Sequence, residues 1–64
     1  MIKAYSSREM IKLLEAHGWK LHTIRGDHHQ FKHPVKKGKV SVPHPNKDLP
    51  IRVAKSILRQ AGLE

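Results

Sequence analysis

Six histidines in 64 residues is an excess, and His28, His29, His33 and His44 fall close together beside Asp27, Gln30, Lys32 and Ser41. Imidazole gives and takes protons near neutrality, and it is also the commonest metal ligand. A metal set of His28, His33 and His44 lacks the spacing of a zinc motif, and there is no cysteine. Asp27 is the one carboxylate beside the cluster. The sequence therefore points to proton transfer, with no metal and no cofactor.

Which of these side chains meet depends on strand alternation. Phe31 is the obvious inward residue of a strand over His28–His33, so His29 and His33 share its face while His28, Gln30 and Lys32 face outward. In a third strand, Lys39–Val42, Val40 and Val42 point inward and Ser41 outward. The outer face thus gathers an imidazole, an amide, an ammonium and a hydroxyl. His28 stands at the mouth of an Arg25-Gly26-Asp27 turn. His29 and His33 read as partly buried structural histidines, His22 as solvated, and His17 as a helix-terminal partner of the dipole.

The elements around this face are legible in the same way. Ser6-Ser7-Arg8-Glu9 reads as a capping box after a short lead-in, and Met10, Ile11, Leu13 and Leu14 follow at helical spacing. His17-Gly18 stops that helix, expected over 7–17. Trp19, Leu21 and Thr23 alternate with Lys20 and His22 as the inward residues of a first strand. Residues 34–38 make the next turn, and Pro43-His44-Pro45-Asn46 should end the ladder because proline lacks the donor. Pro50 suits the first turn of a second helix, which carries Val53, Ala54, Ile57, Leu58 and Ala61 inward until Gly62. The expected order is α-β-β-β-α, an α+β fold. Two helices lie on one face of a three-stranded antiparallel sheet, the layout of double-stranded-RNA-binding domains. One domain spans 1–64, with Leu63-Glu64 suspected as a cloning scar.

Thirteen Lys and Arg against five Asp and Glu give a net charge of +8, a field that draws polyanions. Arg52, Lys55 and Arg59 form one stripe of the second helix, with Lys47 ahead of its N-terminus. That stripe is either a solvated face or a phosphate track. Lys36, Lys37 and Lys39 in the second turn, with Lys32, are further candidates for RNA binding. Trp19 and Phe31 are read as core, because a chain with three aromatics needs them to bury area. Nothing is apolar enough for a signal peptide or membrane span, so a cytoplasmic protein is expected.

Gly26-Asp27-His28-His29-Gln30-Phe31, His33-Pro34 and Val42-Pro43-His44-Pro45 resemble the signature of HicA-type toxins. Glu9 to Trp19, especially Leu13-Leu14 and Gly18-Trp19, and Ile57 to Leu63 are similar to the same family, so the resemblance spans essentially the whole chain. It implies a double-stranded-RNA-binding-like fold and an mRNA interferase, a toxin that cleaves RNA without needing a ribosome. It also implies a HicB-type antitoxin as partner, covering the active site. The family's catalytic histidine, in a Gly-Ser-His pattern, falls on His28. This chain departs from that pattern at Asp27, where the family usually has Ser. A carboxylate there can hold one tautomer of His28 or repel substrate phosphate.

RNA carries its own nucleophile, the 2′-hydroxyl, so a metal-free protein can cleave it by transesterification. His28 would serve as general base or acid, with Lys32 or another lysine as electrostatic partner. His44 is the candidate second proton-transfer group. A 5′-hydroxyl product and no action on DNA are expected. The alternative is a non-catalytic RNA-binding module, or a basic surface that only docks an acidic partner.

Overall fold

The computed structural model describes residues 5–63. Met1 to Ala4 of the lead-in, and Glu64, lie outside the described residues. Ser6 starts helix α1 (Ser7–Ala16) by accepting from the Glu9 N–H while the Glu9 carboxylate accepts from the Ser6 N–H. This reciprocal capping is worth about 1 kcal/mol and fixes where the helix begins. His17 caps the other end, its Nδ1 2.9 Å from the Leu13 carbonyl. Gly18 then turns the chain at φ +91°, a value that L side chains rarely adopt.

Three antiparallel strands follow in sequence order, β1 (Lys20–Arg25), β2 (His28–Lys32) and β3 (Lys39–Pro43). Helix α2 (Ile51–Gln60) closes the fold and gives the α-β-β-β-α order, an α+β domain with an open sheet. Phe31, Val40 and Val42 point to one face of the sheet and are buried there with Met10, Leu14, Trp19, Leu49, Ala54, Ile57 and Ala61. Leu49, which the periodicity of α2 does not reach, is held in place by its N–H on the Tyr5 carbonyl at 2.8 Å. Both helices lie on this face and pack chiefly against β3. The other face carries no helix.

Four local expectations are corrected. A β-bulge between Leu21 and Thr23 shifts the register, so Leu21 pairs with Phe31 but Thr23 pairs with Gln30. Thr23 therefore turns to the open face, and Ile24 takes the helix-side position. Leu21 and Ile24 are on the helix side yet 47% and 54% exposed, because β1 lies at the sheet edge where neither helix reaches. β2 ends at Lys32 instead of His33, and β3 runs on through Pro43, opposite His28. A proline is tolerated there because β3 is an edge strand and Pro43 its last residue. Finally, Pro50 caps α2 from outside, with ψ 142°, and its carbonyl accepts the Ala54 N–H. At the far end Leu63 packs on the core and donates its N–H to the Leu58 carbonyl.

Candidate functional site

The open face of the sheet is built from three cross-strand rows. Lys20, Lys32 and Lys39 pair across one end. Thr23, Gln30 and Ser41 pair across the middle, and Arg25, His28 and Pro43 across the other end. The face is thus graded from three ammonium groups, through hydroxyls and an amide, to a guanidinium beside an imidazole. Neighbouring strands are about 4.8 Å apart, so each row is within reach of a single phosphodiester unit or its neighbour. Among the described residues of the sheet, no apolar side chain other than Pro43 interrupts it.

The Gly26-Asp27 loop is what sets Arg25 opposite His28. A two-residue hairpin makes the residues on either side of it partners, and Gly26 at φ +56° supplies the positive angle its first position needs. Asp27 reaches back to His28, with Oδ1 2.9 Å from Nδ1, and both side chains are largely exposed. In the neutral ring this contact makes Nδ1 the donor to the carboxylate, so that Nε2 is the nitrogen with a lone pair. The loop is tied down by the His44 N–H, which donates to the Asp27 carbonyl at 2.7 Å.

The other histidines are in different employment. His33 accepts at Nδ1 from the N–H groups of Val35 and Lys36 and donates from Nε2 to the His17 carbonyl at 3.0 Å. Its ring also sits edge-on to Trp19, at 5.2 Å. Both its nitrogens are used, so it is a structural histidine. His29 packs edge-on to His44 at 4.8 Å on the helix side. His44 Nδ1 lies 2.7 Å from the Ser7 hydroxyl, which also accepts the Asn46 N–H. His44 is therefore on the opposite side of the sheet from the His28 ring. The structure does not bring the two together as a proton-transfer pair. Nor do His28, His33 and His44 converge: no metal-holding group of three His, Asp or Glu side chains occurs among the described residues.

The candidate cations do not gather in one place. Lys32 and Lys39 belong to the open face, but Lys32 is four residues from His28 along β2, about 13 Å away. Lys37 is exposed in the loop before β3. Lys36 instead donates Nζ to the Ala61 carbonyl at 2.9 Å and so satisfies the C-terminal end of α2. Arg52 and Lys55 lie on α2, in the helix layer, where Ala54 and Ile57 take the buried side. Lys47 follows His44 and lines a pocket with Arg8 at the start of α1. Sequence reasoning missed Arg25, which it placed in the turn, and Lys20. The signal for Arg25 was present in the two-residue Gly-Asp loop; the bulge that puts Thr23 on this face left no comparable mark.

The structure is a small α+β domain with helices on one side of a sheet and, on the other, a histidine paired with an arginine at one end and a row of lysines at the opposite end. The family model described as the HicA toxin of bacterial toxin–antitoxin systems matches residues 7–63, and the chain belongs to that family. Membership carries a toxin role and a cognate antitoxin as partner. Comparison with curated proteins returned no match. No helix among the described residues is long and apolar enough to cross a membrane.

Proposed function

We propose that this HicA family member is an endoribonuclease, an mRNA interferase acting in the cytoplasm without the ribosome and restrained by a HicB-type antitoxin. The observation that carries the reading is the Arg25–His28 pairing at the end of a basic, open sheet face. His28, its Nδ1 held by Asp27, has Nε2 available as the base that removes a 2′-hydroxyl proton or the acid that serves the departing 5′ oxygen. Attack of the 2′ oxygen on phosphorus breaks the bond to the 5′ oxygen, giving a 2′,3′-cyclic phosphate and a 5′-hydroxyl.

Charge grows on the phosphate oxygens during that step. Arg25 is the nearest fixed cation to His28 in the ladder and takes the electrostatic role for which Lys32 lies too far along the strand. The Lys20–Lys32–Lys39 row, with Lys37, holds the backbone of the bound strand, and Lys47, Arg52 and Lys55 extend the positive field. Lys36 contributes charge from its position over the end of α2.

The exposure of His28, 54% at the side chain, favours one rival: a module that binds RNA without cutting it. Incubating the protein with a defined single-stranded RNA in chelator, followed by end-group analysis, separates the two. Fragments with 5′-hydroxyl ends support the proposal. Binding without fragments supports the module, and 5′-phosphate ends contradict the transesterification.

A further inference from the structure

An open pocket of about 270 Å³ lies between the start of α1, at Ser6, Ser7 and Arg8, and the loop over residues 44–47. It lies on the helix side of the sheet, at the end where the hairpin carrying His28 is tied down. Pro43 faces His28 across the ladder, and the next residue, His44, forms the pocket wall while its N–H holds the Asp27 carbonyl. We propose that this pocket is a nucleotide subsite, which receives the base of a residue flanking the bond cut at His28. The proposal rests on the RNA-cleaving reading for its place in the reaction.

The size and the chemistry agree with one nucleotide. Drug-sized ligands fill roughly 300–1,000 Å³, so this volume suits a single base with part of its ribose. The His44 ring and Pro45 provide flat surfaces on which a base can stack, a sequence-tolerant source of affinity. Asn46 supplies the reading group. Its side-chain oxygen accepts the Asp48 N–H, but its amide donors make no hydrogen bond among the described residues, and neither does His44 Nε2. The Asn46 amide hydrogens can pair with acceptors on a base edge.

Arg8 and Lys47 both line the pocket and can each take a flanking phosphate. The acids nearby do not cancel them. Glu9 has its carboxylate turned back on the Ser6 N–H, and Asp48 is outside the lining. The end of α1 is not itself the attraction, since the Ser6 and Glu9 N–H groups are held in the capping box and the Ser7 N–H donates to the Asn46 carbonyl.

The walls are also fixed before any ligand arrives. Ser7 is 2% exposed, accepts the Asn46 N–H at 2.9 Å and meets His44 Nδ1 at 2.7 Å, while the Ser7 N–H donates to the Asn46 carbonyl at 2.8 Å. These bonds join α1 to the 44–47 loop, and Asn46 takes part in them through its backbone N–H and carbonyl alone. Asn46→Ala removes the reading group and leaves those backbone bonds in place.

The test uses the isotope-labelled full chain carrying His28→Ala, so that nothing is cut. It is titrated by NMR with each of the four nucleoside 3′-monophosphates and, separately, with inorganic phosphate. The proposal expects amide shifts on residues 6–8 and 44–47, with at least one nucleotide binding about tenfold more tightly than phosphate. Asn46→Ala should weaken the preferred nucleotide about three- to tenfold and leave phosphate unchanged, and Arg8→Ala should weaken both. Equal binding of nucleotides and phosphate, or shifts confined to the open sheet face or to α2, overturns the subsite. Because no cleavage is read, loss of the nuclease reading and loss of the subsite give different results.

Discussion

Arg25 and His28 are direct partners across the first hairpin, with only Gly26 and Asp27 between them in the chain. That relationship sets a guanidinium beside the imidazole on the open face, where no helix competes for either. If Arg25 stabilises charge in the transition state, Arg25→Ala should lower the cleavage rate about a hundredfold. Binding of uncut RNA should weaken far less. Single-turnover rates at saturating protein check this, and Arg25→Lys should recover part of the loss.

Asp27 acts on His28 through one contact between two exposed side chains, so its effect should be on rate and not on stability. Asp27→Ala is expected to leave the unfolding free energy within about 0.5 kcal/mol of the parent. The same change should let His28 exchange between its two neutral tautomers, read from its ring nitrogen shifts, and slow cleavage severalfold. Unchanged tautomer populations would remove Asp27 from the site.

The lysine row should behave as a phosphate track. For single-stranded RNA, each of Lys20→Ala, Lys32→Ala and Lys39→Ala should reduce the slope of log affinity against log salt by about 0.7. Lys36→Ala should change it less, because Lys36 is spent on the Ala61 carbonyl, and should instead lower thermal stability. Affinities measured across a salt series decide both.

Gly18 tests the packing beneath the site. A Cβ there would lie 2.8 Å from His33 Nε2, on a backbone at φ +91°. Gly18→Ala therefore displaces the hydrogen bond from His33 to His17 and strains the turn. A loss above about 1 kcal/mol is expected in chemical denaturation. In a domain with only about 3–5 kcal/mol to lose, that should visibly lower the midpoint.

Much of this arrangement was legible from residue types alone. The capping box at Ser6 and Glu9 announced α1, and the alternation around Phe31 put His28, Gln30 and Lys32 on one face with Ser41. What escaped were features that depend on register and coverage. The bulge after Leu21 changes the phase of β1 by one residue, and periodicity cannot see an extra residue in one strand. Leu21 and Ile24 are exposed because the helices sit over β3, a matter of three-dimensional placement. His44 joined the helix side of the sheet through Ser7, 37 residues earlier in the chain, which no local pattern encodes.

The central claim is that His28 carries the chemistry, and the most direct test compares wild type with His28→Ala on one defined single-stranded RNA in chelator. His28 is exposed and its removal costs the fold little, so both proteins should give matching thermal melts. The account predicts 5′-hydroxyl fragments from wild type, and from the variant RNA binding within a few-fold with cleavage lowered by a factor of about 10²–10⁴. Equal cleavage by the two proteins would contradict it and move the proton transfer away from His28.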